Sequence, residues 1–301
     1  MYLDDWLVNE NSLQASLRST QLIVDWCLEL GLTLNPEKSD LIPSQKRTYL
    51  GVVIDSKTML VYPSQKRIQK FLTILRRFVK NPQPPAILWL QVLGHMVSLE
   101  KLIPMARTRL RSLQFNLKEV WNMGRYSKNA SVRIQPHTMI DLSWWLVEEN
   151  LTIGCSLVER IPDFHIFSDA SKKGWGAHIA ELQASGMWPK ALSREHINNL
   201  ELRAVWMGLQ EFVHFLKGST VMAFIDNTTA ISYLQKQGGT KSKSLCNLAL
   251  EILAWASSHE INLLTSHIQG KNNVIADMLS RRKEVIHSEW SLHPEVCAQI
   301  W

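Results

Sequence analysis

The chain has 301 residues, 46% of them apolar and 20% charged, which supplies a core for each of about two domains and excludes a disordered or fibrous protein. No apolar run approaches the ~18 residues that span a bilayer, and acids stand where a signal peptide carries Lys or Arg, so a membrane protein is excluded and an intracellular location, cytoplasmic or nuclear, is expected. The formal net charge is +6, yet residues 63 to 128 hold 13 Lys or Arg against Glu100 and Glu119, a local +11 that leaves −5 elsewhere; this is the footprint of a polyanion binder or of solvated helix faces.

Taken from the N-terminus, YLDDWL at residues 2 to 7 sets Asp4 and Asp5 side by side among apolar neighbours, a pattern that suits metal chemistry. Residues 6 to 8 (WLV) read as a strand, 11 to 30 as a helix stopped by Gly31, and Asn35-Pro36 as a turn, followed by short β segments at 39 to 42, 48 to 54 and 59 to 62. Ile68, Phe71, Leu72, Leu75 and Val79 have helical spacing, and NPQPP at 81 to 85 ends that helix. Two more helical stretches fall near 86 to 101 and 105 to 121; 124 to 131 (GRYSKNAS) looks like a linker, and Trp144-Trp145 lies on a helix as core. From about Pro162 the pattern changes. FHIFSD, GWGAHI and MWPKAL read as three consecutive strands, followed by a helix from Asn199 to 216, a strand VMAFID, helices from Asn227 and from about Ser242 to 259, a strand INLLTSHI and a helix from Asn273. That order predicts an α/β layer built on a mixed sheet. Cys27, Cys155, Cys246 and Cys297 lack CxxC spacing and are expected to be reduced and structural.

The acids of the last region carry the chemistry. Asp169 ends the first of its strands and Asp226 the fourth, so neighbouring strands would deliver both carboxylates to one sheet edge. Glu201 shares a helix face with Ala204, Val205, Gly208, Leu209 and Phe212, where a buried carboxylate is costly unless a positive group meets it. Asp277 opens the last helix. Four converging acids would repel one another unless divalent cations sit among them, and Mg2+ prefers such oxygen ligands. Two ions about 4 Å apart can activate water and stabilise the leaving oxygen of a phosphodiester. Taken singly, Asp226 could instead cap the helix NTTAISYL and Asp169 a turn; capping gives no account of Glu201.

SDASKKGWGA, NNLELRAVW, FIDNTTAISYL and HIQGKNNVIADMLSRR, in this order and at these intervals, resemble the ribonuclease H domain of retroelement reverse transcriptases. The wider wording, including the trailing EWSLHPEVCAQIW, is most similar to the DIRS-type retrotransposons, and the likeness runs over essentially the whole chain. It implies Asp169, Glu201, Asp226 and Asp277 as catalytic, metal-binding acids, two Mg2+ ions with Mn2+ as a substitute, and the RNA strand of an RNA–DNA hybrid as substrate. Relatives place an auxiliary histidine in the loop before the last Asp; here Lys271 takes that place and His267 lies earlier, on the strand. Asn198 and Asn227 are candidates for contacts to 2′-hydroxyls.

The same resemblance makes YLDD, with Asp4 and Asp5, a residual polymerase metal site, places Lys38 in the following palm motif and reads TYLGVVID as a primer-grip hairpin. It divides the chain into the C-terminal part of a palm (1–62), a helical thumb and connection (63–160), a ribonuclease H domain with a five-stranded mixed sheet and helices on both faces (161–283), and a tail (284–301). Lys66, Arg67, Lys70, Arg76 and Arg77 would hold phosphates of the hybrid. A palm needs a third carboxylate upstream of YLDD, so the expectation is an endonuclease rather than a polymerase, belonging with the rest of a retroelement polyprotein. A remnant that only binds nucleic acid, and a nuclease for DNA junctions, are the rival expectations.

Overall fold

The computed structural model describes residues 5–121 and 125–281. The chain divides into two compact units between Glu159 and Arg160.

In the first unit, α1 (Leu13–Glu29) is capped by Ser12, whose hydroxyl accepts from the Ala15 amide, and closes where Gly31 takes a φ of 69°. The Gly31 amide bonds the Leu28 carbonyl and the Leu32 amide the Cys27 carbonyl, so a left-handed glycine satisfies the last helical acceptors. Three strands follow, β1 (Lys46–Tyr49), β2 (Val52–Asp55) and β3 (Leu60–Pro63), joined antiparallel. Leu50 and Gly51 both have positive φ in the two-residue loop between β1 and β2, the conformation whose twist suits a tight hairpin. Helices α2 (Gln65–Val79), α3 (Ala86–Leu99), α4 (Arg111–Val120), α5 (Met139–Leu146) and α6 (Glu148–Thr152) come next, and β4 (Cys155–Ser156) returns to pair with β3.

The core of this unit lies among its helices. On α2 the buried stripe is Ile68, Phe71, Leu72, Leu75 and Phe78, and Val79 packs partly buried against the same core. Trp145 is fully buried and meets Phe71 edge to face at 5.5 Å, as a core residue does.

Three expectations fail here. Residues 6 to 8 and 39 to 42 form no strand: their backbone lacks a sheet partner, and Trp6, Leu7, Leu41 and Ile42 are exposed. The expected linker, 124 to 131, is no linker in its described part, since the amides of Ala86 and Ile87 at the start of α3 bond the carbonyls of Ala130 and Lys128, and just beyond it the amides of Val132 and Ile134 bond the carbonyls of Pro84 and Pro82. The segment satisfies donors that every helix start leaves open, and Val132 is buried with it.

The second unit is built on one mixed sheet. Its strands are β5 (Phe164–Ala170), β6 (Gly174–Ile179), β7 (Leu182–Met187), β8 (Thr220–Ile225) and β9 (Asn262–His267), in spatial order β7-β6-β5-β8-β9. The first three form antiparallel hairpins, whereas β5, β8 and β9 run parallel. Helices α7 (Ile197–Glu211), α8 (Val213–Leu216), α9 (Thr228–Gln235), α10 (Lys243–Ser258) and α11 (Val274–Arg281) complete it.

Helices cover both faces of this sheet, and adjacent residues of β6 report it. A Cβ on Gly208 of α7 would lie 2.7 Å from that of Ala177, and one on Gly176 would lie 2.4 Å from that of Leu279 in α11. Successive strand residues point to opposite faces, so α7 and α11 sandwich the sheet at the closest approach glycine permits. The third strand is not MWPKAL but LQASGM, which begins five residues earlier and shares Met187 with it. Ala180, with φ 47°, turns the chain after Ile179, which then pairs with Leu182. MWPKAL contains Pro189, which has no amide for a ladder, and Trp188 is held instead by its indole N–H donating to the Ser171 carbonyl at 2.9 Å. Among the described residues no helix is long and apolar enough to cross a membrane.

Candidate active site

Parallel pairing of β5 with β8 sets the site. The register Phe164↔Val221 to Phe167↔Phe224, carried on two residues, puts Asp169 beside Asp226 at the C-terminal edge of both strands. Glu201 reaches the same place from the second turn of α7, on the helix face packed against the sheet. Asp169, Glu201 and Asp226 each offer a carboxylate oxygen within 4.8 Å of the others, and Asp169 and Glu201 are buried.

The electrostatics follow from that crowding. Burial, then repulsion from Asp169 and Asp226, pushes the Glu201 carboxyl up to about 9 against a small pull from the Ala170 amide. Asp169 is raised to about 6, chiefly by burial, with Asp226 and Asp277 adding and the Ser280 hydrogen bond and Arg281 opposing. Asp226 is raised by burial and by Asp277, while His267 and Arg281 pull it down. Glu201 Oε2 is buried without any hydrogen-bond partner. Three hard oxygen donors converge on one point with an unsatisfied oxygen among them, an arrangement that fits a divalent cation.

Capping does not occupy Asp226. The cap of α9 is the next residue, Asn227, whose Oδ1 accepts from the Ala230 amide at 3.0 Å and whose Nδ2 donates to Asn198 Oδ1 at 2.9 Å. The two asparagines proposed for the sugar edge are therefore tied to each other beside the site. Asp277 stands in the first turn of α11, close enough to raise both Asp169 and Asp226, but its Oδ1 accepts from Arg281 Nε at 2.6 Å and it lies outside the tight trio.

Three neighbours escaped the sequence reading. Ser280, fully buried, donates from Oγ to Asp169 Oδ2 at 2.5 Å; Asn273, 1% exposed, donates from Nδ2 to the Ser168 carbonyl at 2.9 Å; Arg281 pairs with Asp277. The signals for Ser280 and Arg281 were their places three and four residues after Asp277, one helical turn on; nothing local marks Asn273. His267 ends β9 opposite Ile225, one residue before Asp226. Lys271 lies in the turn Gly270–Asn272, and a Cβ on Gly270 would stand 3.3 Å from Asp226 Oδ2, so this turn borders the acids.

In the first unit, Asp4 lies outside the described residues, and Asp5 is exposed with its carbonyl accepting from the Tyr49 hydroxyl. Lys38 is exposed in the turn where Asn35 Oδ1 accepts from the amides of Glu37 and Lys38. On α2, Lys66, Lys70, Arg76 and Arg77 are exposed, whereas Arg67 is half-buried and donates to the Ser98 carbonyl at 2.8 Å. Cys27, Cys155 and Cys246 are free thiols; Cys297 lies outside the described residues.

No family model matches the chain. It is similar to the enzymatic polyprotein of Cauliflower mosaic virus (strain Strasbourg), 25% identical over 305 residues that cover 96% of this chain and 41% of that protein. It is also 24% identical over 310 residues to the retrovirus-related Pol polyprotein from transposon 412 of Drosophila melanogaster, covering 93% of this chain and 21% of that one. Among solved structures, RNase H1 from the archaeon Halobacterium salinarum matches 38% of this chain and 92% of its own length, with 15% identity and a TM-score of 0.33. The curated relatives are thus viral and retrotransposon polyproteins, of which the chain spans less than half.

Proposed function

We propose that the second unit is a metal-dependent endonuclease of ribonuclease H type that hydrolyses the RNA strand of RNA–DNA hybrids, carried in a retrotransposon reverse transcriptase polyprotein of the DIRS kind. The observation that carries this reading is the convergence of Asp169, Glu201 and Asp226, the first two buried, with Glu201 Oε2 unpartnered. Mg2+, two ions with Mn2+ as a substitute, would supply activation of the attacking water and stabilisation of the leaving oxygen. Asp169, Glu201 and Asp226 would hold them, and Asp277 would join once its carboxylate leaves Arg281. The protein's part is to present the oxygens of Asp169, Glu201 and Asp226 already converged, leaving Asp277 alone to be gathered.

His267, at the end of the strand beside Asp226, and Lys271, in the turn that borders it, would meet the phosphate or the departing strand. The paired Asn198 and Asn227 amides would face the sugar edge, where a 2′-hydroxyl distinguishes RNA. In the first unit, which the motif wording relates to palm, thumb and connection, the exposed cations of α2 would bind phosphates without regard to sequence. The relatives being Pol-type polyproteins supports this setting.

The test is cleavage of a labelled RNA–DNA hybrid in Mg2+, beside duplex RNA, duplex DNA and a DNA junction. Cleavage confined to the hybrid's RNA is expected, and Asp226→Asn should lower it at least about a hundredfold, the scale of a missing metal ligand. Binding without cleavage would establish a nucleic-acid-binding remnant instead. Equal cutting of junctions would move the substrate to DNA.

A further inference from the structure

The end of α11 is fastened to the end of β5 more firmly than helix packing alone requires. Ser280 Oγ stands 2.5 Å from Asp169 Oδ2 and 3.0 Å from the Asp277 carbonyl, and its own carbonyl accepts from Ser171 Oγ at 2.7 Å. Its backbone is confined as well: a Cβ on Gly176 would lie 2.8 Å from the Ser280 nitrogen, and one on Gly174 would lie 3.3 Å from the Ser280 oxygen. At the other end of the helix, Asn273 Nδ2 holds the Ser168 carbonyl, one residue before Asp169.

A hydroxyl has one proton to give. Of its two acceptors the carboxylate is nearer and charged, so the proton goes to Asp169. Ser280 has no solvent exposure and Asp169 only 4%, so no water takes over that bond if the hydroxyl is removed. A donor fixed on Oδ2 sets the rotation of the carboxylate and thereby the direction in which Oδ1 and the remaining lone pairs point.

We propose that Ser280 is a positioning residue, whose buried hydroxyl orients the Asp169 carboxylate for the cation held with Glu201 and Asp226. The inference rests on the nuclease reading of that site. It assigns to the Ser of ADMLSRR a role separate from that of the preceding Asp277: Ser280 acts on the orientation of Asp169 and touches neither substrate nor cation.

The experiment is Mn2+ binding to the full chain, followed by electron paramagnetic resonance without nucleic acid, for wild type, Ser280→Ala, Ser280→Thr and Ser280→Cys, each checked for folding by circular dichroism. Ser280→Ala should bind Mn2+ about tenfold more weakly, the scale of one charge-assisted hydrogen bond. The Mg2+ concentration for half-maximal cleavage should rise by a similar factor while KM for the hybrid stays unchanged. Ser280→Thr, which keeps the hydroxyl, should recover most of the loss. Wild-type Mn2+ affinity in folded Ser280→Ala overturns the inference, as does a threonine variant no better than alanine. If alanine prevents folding, Ser280→Cys keeps the volume with a poor donor: weakened Mn2+ binding then supports the inference, and unchanged binding refutes it. Failure of the wild type itself to bind Mn2+ would sink the nuclease reading and this inference together. Wild-type binding and cleavage with an indifferent Ser280 would sink the inference alone.

Discussion

Glu201 interrupts the apolar face of α7, and its carboxyl, like that of Asp169, holds a proton in the fold at pH values where the unfolded chain has released it. The contribution of these two groups to stability is complete below their ordinary values of 4.5 and 3.8 and is lost as pH rises through about 6 for Asp169 and about 9 for Glu201. Without divalent cations, the thermal midpoint should therefore fall by several degrees from pH 5 to 9. Mg2+ should flatten the fall, and Glu201→Gln should remove most of it; scanning calorimetry at a series of pH values with and without chelator checks both. Asn227 makes the complementary case. As the cap of α9 its change to Ala should cost about 1 kcal/mol of stability, whereas Asp226→Asn should leave the helix intact and abolish metal binding. Both sites had sequence signals, but of different kinds. Glu201 was legible because a charge on a buried stripe has few explanations, while Asp226 and Asn227 are adjacent candidates for one cap and the backbone alone chose between them.

At the level of elements, α11 is placed by what β6 lacks. Gly176→Ala would set a Cβ 2.4 Å from that of Leu279 and 2.6 Å from the Ala276 carbonyl. The helix would have to lift, at about 1–3 kcal/mol for the overpacking. Because Asp277 and Ser280 ride on that helix, the same change should lower hybrid cleavage more than its effect on melting would suggest. The helices of the first unit differ in how they are held. On α2, five apolar side chains are buried, whereas on α1 only Cys27 is buried among the described residues and Leu13, Leu17, Leu22, Trp26 and Leu28 are exposed. Amides of α1 should accordingly exchange with deuterium well before those of α2, since opening α1 exposes little new apolar surface. Helix ends were legible from Gly31, Ser242 and the prolines after α2. The third strand was misplaced because β7 (LQASGM) is mostly exposed and carries no β-branched or aromatic residue, so little in it marks a strand; hairpin register with β6 defines it.

For the molecule as a whole, the charge asymmetry between residues 63 to 128 and the rest leads to a salt test. Hybrid affinity should fall steeply with salt, and Arg76→Gln with Arg77→Gln should reduce the slope of log affinity against log salt by up to about 0.9 for each phosphate no longer neutralised, without changing sequence preference. Fluorescence anisotropy across a salt series measures this. The sequence by itself determined the identity of the acids and the order of elements around them. Strand ends, helix starts and a carboxylate on an apolar face are local patterns, and chain order fixes which element carries each. It also determined the α2 stripe and the burial of Trp145. Tertiary structure decided which acids share a point, because parallel pairing of β5 with β8 joins residues 57 apart in the chain and no local period encodes it. The Asp277–Arg281 pair is an i,i+4 contact within α11, but tertiary structure decided that Ser280 and Asn273 reach back to β5. Those bonds depend on how closely α11 approaches the sheet, and that distance is set by two missing side chains, at Gly174 and Gly176, on a strand the helix does not follow in sequence.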